Sequence, residues 1–277
     1  MPDSLLLRVL SAAVFIPFLT AVAAAGGLFY LGLIVAGVFV GLREFYRLLV
    51  GRGERPYRWL GIGAGLVVVC SAYFRLGVHA NLLLTMVLIL TMAIEIFRPD
   101  NRGAVHAIGG TLFGVLYVAW LGSHLVLLRE LPRLAGLDYR LGAQLTWFLF
   151  LCAWGCDAGA YLTGKAIGRH LLLPRVSPRK SVEGSVGGLV LGGLFGLAAS
   201  QTFATWLDPM GGLGLGVLIA ASGQVGDLVE SLLKRDSLTK DSAAVAIIPG
   251  HGGVLDRFDS VLFAAPVFYY VIRAQLL

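Results

Sequence analysis

Apolar stretches of about 20 residues follow one another along this chain with so little between them that a helical membrane protein is the one fold able to take them. About nine such stretches can be marked, at roughly 6–25, 28–48, 57–75, 80–97, 107–128, 142–164, 185–207, 211–233 and 258–276. The hydrocarbon layer offers no water to pair with backbone N–H and C=O groups, so each segment must satisfy its own, and an α-helix does this. A mean hydropathy of +0.83, with 57% hydrophobic against 14% charged residues, would leave a water-soluble domain with a sticky surface. The expected fold is therefore all-α, a polytopic integral membrane helix bundle with about nine transmembrane helices. The expected organisation is a transmembrane scaffold over residues 1–140 and a catalytic transmembrane region over 141–277. With no room for a separate soluble domain, any site has to be built from helix ends and short loops.

Charge orients these segments. Arg43, Arg47, Arg52, Arg55 and Arg58 follow the second, Arg98 and Arg102 the fourth, Lys165, Arg169, Arg175, Arg179 and Lys180 the sixth, and Lys234, Arg235, Lys240 and Arg257 the eighth. The alternate loops are nearly bare apart from Arg75 and the trio Arg129, Arg133 and Arg140. The positive-inside rule then sets the N-terminus and the basic loops in the cytosol. Near the N-terminus, Arg8, an apolar run and the string Ala21-Val22-Ala23-Ala24-Ala25-Gly26 have the look of a cleavable signal; an uncleaved first span is the preferred reading. A net charge of +6 suits a surface that meets anionic headgroups and phosphorylated substrates.

Some chemistries drop out early. No G-x-G-x-x-G follows a strand-like run and no G-x-x-x-x-G-K-[ST] occurs, so neither a dinucleotide fold nor a P-loop is indicated. Cys70, Cys152 and Cys156 lie in apolar segments without a C-x-x-C pattern, which reads as inert buried thiols. Gly37-x-x-x-Gly41, Gly188-x-x-x-Gly192 and Gly192-x-x-x-Gly196 have the spacing that lets helix backbones approach, and packing explains them better than ligand binding.

Against this apolar background, the residues between Gly226 and Ser260 carry an unusual density of ionisable groups. On one helix, Asp227, Glu230, Ser231 and Lys234 fall at i, i+3, i+4 and i+7 and share a face. An uncompensated Asp in hydrocarbon costs about 3 kcal/mol on insertion scales, so Asp227 needs a partner. An ion pair with Lys234 or Arg257 is one candidate; a divalent cation held by carboxylate oxygens is the sharper one. Pro249-Gly250-His251-Gly252-Gly253 is a turn, and Asp256, Asp259 and Ser260 share a face if they open the last helix. One metal held by Asp227 and Asp256 would bridge the two helices, with Lys180, Lys234, Arg235, Lys240 and Arg257 as cations for a polyphosphate. Upstream, Asp157 stands in the sixth span, and Ser177-Pro178-Arg179-Lys180-Ser181 forms a basic loop ahead of a helix N-terminus, where N–H groups face an anion. The combination suits metal-assisted transfer from a nucleoside triphosphate to a lipid.

Ser231-Leu232-Leu233-Lys234-Arg235, Lys240-Asp241 and His251-Gly252-Gly253-Val254-Leu255-Asp256-Arg257-Phe258-Asp259 together resemble the signature of the phosphatidate cytidylyltransferases (CDP-diacylglycerol synthases). Gly226-Asp227-Leu228-Val229-Glu230, the Ser177–Gly184 loop and Asp157-x-x-Ala160-Tyr161 are similar to that family as well. The segment between Asp241 and Pro249 is longer than in the family's signature, and Ser181 and Val182 stand where the family has Thr and Trp. The resemblance implies that CTP and phosphatidic acid give CDP-diacylglycerol and pyrophosphate, with Mg²⁺ at one or two sites. It makes Asp227, Lys234, Asp256 and Arg257 catalytic, with Asp227 and Asp256 the metal ligands. Ser177, Lys180, Arg235, Lys240, Asp241, His251, Gly252 and Gly253 would bind substrate, and Asp157, Glu230 and Asp259 would support the site. It also implies the bilayer as a partner, a bacterial inner membrane as the location and a site facing the cytosol; homodimerisation is left open and no nucleic acid is expected. Two other readings differ in kind or substrate. A cytidylyltransferase for an isoprenoid-ether lipid phosphate would share these residues, whereas an ion-coupled transporter predicts a midplane site and inverted repeats.

Overall fold

The computed structural model describes residues 15–74, 77–100, 102–236 and 253–276. The expectations for Lys240, Asp241, His251 and Gly252 lie outside the described residues. In chain order the elements are α1 (Phe15–Ala25), α2 (Gly27–Gly51), α3 (Arg58–Tyr73), α4 (Gly77–Ile96), α5 (Ala104–Gly114), α6 (Leu121–Ala135), α7 (Arg140–Ile167), β1 (Leu171–Leu173), β2 (Ser177–Ser181), α8 (Val182–Ser200), α9 (Pro209–Asp236) and α10 (Leu255–Leu276). A π-helical turn, Val115–Trp120, joins α5 to α6 without a break. Five helices among the described residues are long and apolar enough to cross a membrane: α2, the continuous Ala104–Ala135, α7, α8 and α9. Helices α1 and α3 and the Asn81–Ile96 part of α4 are apolar but shorter.

Two boundaries move from their expected places for local reasons. The stretch expected at 185–207 ends as helix at Ser200, where Ser200-Gln201-Thr202 gives way to turns. Asp208 then starts α9 by accepting N–H bonds from Met210 (3.1 Å) and Gly211 (3.1 Å), with Pro209 in the first helical position. The Ser177–Ser181 segment, expected as an open loop, is instead the second strand of an antiparallel hairpin pairing Leu171 with Ser181 and Leu173 with Ser177. A two-stranded ribbon is all edge, so Pro178 costs it no central ladder bond. This hairpin is the one departure from an all-α fold among the described residues.

The chain divides into two compact units, Met1–Leu127 with Ser237–Arg257 and Leu128–Asp236 with Phe258–Leu277. In the first, α2 supplies the buried stripe Tyr30, Ile34, Val38, Leu42 and Phe45. Tyr46 is buried as well, and its hydroxyl donates to the Thr111 carbonyl (2.8 Å). Glu95 accepts a bond from the Tyr57 hydroxyl (2.5 Å) and pairs with Arg98 (3.2 Å), which also lies over the Tyr57 ring.

In the second unit α8 lies between α7 and α9, and small residues bring the three backbones together. A methyl added at Gly188 would come to 2.9 Å from the Cys156 carbonyl oxygen of α7, one at Gly192 to 2.7 Å from the Ala220 Cβ of α9, and one at Gly216 to 2.5 Å from the Gly192 carbonyl oxygen. The spacing Gly188/Gly192/Gly196 therefore serves helix packing, as its period suggests. Gly41 faces Val118, but Gly37 has nothing within 4 Å, so the Gly37/Gly41 pair is half interface. All three cysteines are free, with Cys152 and Cys156 buried.

Candidate active site

Four elements of the second unit meet around Asp227. α9 is continuous through Asp236, so the i, i+3, i+7 stripe is a real helix face: Asp227 is partly exposed while Glu230 is only 3% exposed. Helix α10 passes close to this face because α9 has glycines there. A methyl on Gly226 would sit 2.5 Å from the Asp259 carbonyl oxygen, and one on Gly223 3.3 Å from the Ser260 Cβ. That approach brings Asp259, 8% exposed, to the α9 acids. Asp227, Glu230 and Asp259 each offer a carboxylate oxygen, and these oxygens lie within 4.8 Å of one another. From α7, Asp157 joins by bonding the Ser260 side chain and lying in the field of Asp227 and Lys180.

The cations reach the acids by a route the helix period does not reveal. Asp227 pairs with Lys180, which β2 carries, rather than with Lys234 or Arg257. Lys234 instead pairs with Glu230 one turn back (2.8 Å), since i, i+4 is within reach of a side chain and i, i+7 spans about 10 Å. Arg235 is exposed and ties the end of α9 to the hairpin by donating to the Val176 carbonyl. Ser177 lies in β2 on the same strand as Lys180, and Ser181 ends that strand and caps α8 by accepting from the Gly184 N–H (3.1 Å). At the hairpin's base, Glu183 accepts N–H bonds from Arg169 (3.1 Å) and His170 (3.2 Å) and pairs with the His170 ring (2.5 Å).

Gln224 was not singled out from sequence. One turn before Asp227 it donates to the Ser185 carbonyl (2.8 Å) and to the Cys156 sulfur (3.3 Å), and it accepts from the Ser185 hydroxyl. It thus locks α9 to α8 and α7 just beneath the acids. A lone polar residue at helix-interface spacing is the signal that was present.

Gly253, Asp256 and Arg257 belong to the first unit. Asp256 opens the first turn of α10, partly exposed, and Arg257 is exposed with its N–H on the Val254 carbonyl (3.1 Å). Glu44 is the most buried carboxylate of this unit among the described residues, 3% exposed on α2, within the stretch expected to be only a transmembrane scaffold. Its oxygens accept from the Val254 N–H (3.0 Å) and the Leu255 N–H (2.9 Å).

A bundle of apolar helices whose polar residues gather as clustered carboxylates with lysines beside them defines a membrane protein with an ionic functional site. The chain belongs to the cytidylyltransferase family, whose model matches residues 6–275. It is 34% identical to the phosphatidate cytidylyltransferase of Synechocystis sp. over 289 residues, covering 96% of this chain and 95% of that one. It is 34% identical to the uncharacterized protein YnbB of Escherichia coli over 238 residues, 85% of this chain and 76% of that one. The phosphatidate cytidylyltransferase of Staphylococcus saprophyticus is 41% identical over 159 residues, 56% of each chain.

Proposed function

We propose that this protein transfers the cytidylyl group of CTP to phosphatidate, giving CDP-diacylglycerol and pyrophosphate. The observation that carries this reading is the family match along nearly the whole chain, residues 6–275. A phosphate oxygen of phosphatidate forms a bond to the α-phosphorus of CTP, the bond from that phosphorus to the β-bridging oxygen breaks, and pyrophosphate leaves. The attacking oxygen is already anionic near neutral pH, so the protein needs no strong base; it must position two anions and offset their charge.

The donor set fits Mg²⁺, because three carboxylates with oxygens within 4.8 Å of one another are the hard ligands this ion selects. Asp227, Glu230 and Asp259 would hold it. When bound, the ion draws charge from the triphosphate and the leaving pyrophosphate. Lys180 and Lys234, already aligned by Asp227 and Glu230, present ammonium groups to the phosphates, while Arg235 and Ser177 bind their outer oxygens. Asp157 and Ser260 orient Asp259 from behind.

The same reading sets the protein in the bilayer. Adding α1, α3, α4 and α10 to the five long helices makes about nine crossings. The basic loops support a cytosolic site and an inner-membrane location. The test is to incubate the purified protein in nanodiscs with α-labelled CTP and Mg²⁺, with and without chelator, and follow label into the organic phase. Phosphatidate and an isoprenoid-ether lipid phosphate are the two acceptor arms. Label should enter lipid with phosphatidate and vanish with chelator; no transfer to phosphatidate would overturn the reading.

A further inference from the structure

Helix α10 begins without a cap of its own. The residues before it are Gly252, Gly253 and Val254, none with a side chain that can accept an N–H bond, although the first turn of any helix leaves such groups unpaired. The acceptor comes from 210 residues away in sequence. Glu44 of α2 takes the Val254 N–H on one oxygen (3.0 Å) and the Leu255 N–H on the other (2.9 Å), at the end of the helix where the backbone dipole favours an anion.

The surroundings are shaped for this contact. A methyl on Gly253 would fall 2.9 Å from the Glu44 Oε2, so a residue without a side chain lets the turn close on the carboxylate. One turn earlier on α2, Gly41 leaves room beside Val118 and Leu255, and Leu255 is buried. A carboxylate that is 3% exposed in an apolar helix is costly unless its oxygens are bonded, and here each oxygen is. Asp256, the next residue after Leu255, lies within the electrostatic reach of Glu44.

From this geometry we infer that Glu44 is a positioning residue for the reaction: it fixes the first turn of α10 and thereby the placement of Asp256 and Arg257. The inference rests on the cytidylyltransferase reading and adds to it a residue from the apolar first half of the chain. It does not make Glu44 a group that touches substrate. Removing supporting contacts of this kind costs about 10- to 100-fold in metal affinity or activity in comparable sites.

The experiment compares Glu44→Gln, Glu44→Asp and wild type in nanodiscs by two readouts. Hydrogen exchange at the Val254 and Leu255 amides, which needs no turnover, should accelerate in Glu44→Gln, where one accepting oxygen becomes an NH₂. In steady state, Glu44→Gln should lose about tenfold or more in kcat and need more Mg²⁺ for half-maximal rate, while KM for phosphatidate stays near wild type and Glu44→Asp recovers part of the loss. Unchanged exchange, or faster exchange with wild-type kcat and Mg²⁺ dependence, overturns the inference. If wild type itself labels no phosphatidate, the functional reading fails, and the exchange data alone decide whether Glu44 holds the turn.

Discussion

Glycine is used differently in the two compact units. In the second, several helix glycines face backbone: Gly216 meets the Gly192 carbonyl, Gly188 the Cys156 carbonyl and Gly226 the Asp259 carbonyl, while Gly155 and Gly187 meet the side chains of Phe195 and Thr163. In the first they face side chains: Gly61 and Gly114 meet the Tyr46 ring, and Gly65 meets Leu42 and Ala119. Helices that touch backbone to backbone have no side chain left between them to rearrange, so charged groups at their ends are held in fixed relation. The clustered acids Asp227, Glu230 and Asp259 sit on the first kind of packing. In the other unit two buried carboxylates serve as polar anchors, Glu95 holding Tyr57 and Arg98, and Glu44 grasping a helix end.

The sharpest way to break this contrast is at the acids. Asp227→Asn should lower kcat for CDP-lipid formation by about 10²–10³-fold, as losing one preorganised charge in a phosphoryl-type site does, while the protein still elutes as folded from size exclusion. Wild-type turnover would remove Asp227 from the mechanism. Next in size is the packing itself. Gly216→Ala must push apart two backbones and should cost about 1–3 kcal/mol in thermal unfolding. Gly61→Ala would push the hydroxyl end of the buried Tyr46 ring and its bond to Thr111 but leave the backbones in place, and should cost less, about 1–2 kcal/mol. If Gly61→Ala proves the more damaging, the distinction between the units fails.

How much of this was readable in advance depends on whether the relevant contact is local. The apolar segments and the Asp227, Glu230, Lys234 face obey the helix period and were legible, as was the run from His251 to Asp259 that carries the family resemblance. The overrun past Ser200 arose because Phe203, Ala204, Trp206 and Leu207 prolong the apolar run although the backbone already turns. The pairing of Lys180 with Asp227 depends on a short hairpin at 171–181, whose strands are too brief to leave an alternating pattern. Glu44 was hidden for a related reason: between Arg43 and Arg47 it looks like part of an interfacial charge run. Its partners are backbone N–H groups, and they leave no mark in a sequence.

Two smaller effects sharpen the same comparison. Gln224→Ala should destabilise the second unit by about 0.6–2 kcal/mol, the range for interhelical polar contacts in membranes, and faster exchange of the Ser185 region would locate the loss. Gly37→Ala should be neutral to within about 0.5 kcal/mol, since nothing lies within 4 Å of the added methyl; a clear loss of thermal stability would show that its spacing from Gly41 matters after all.

Binding of Mn²⁺, used as a paramagnetic stand-in for Mg²⁺, tests the grouping of the three carboxylates most directly because it requires neither substrate nor turnover. Electron paramagnetic resonance titration of the wild-type protein should reveal a bound ion that Asp227→Asn and Asp259→Asn each weaken by about tenfold or more. Equal Mn²⁺ affinity in the wild type and both variants would contradict the account.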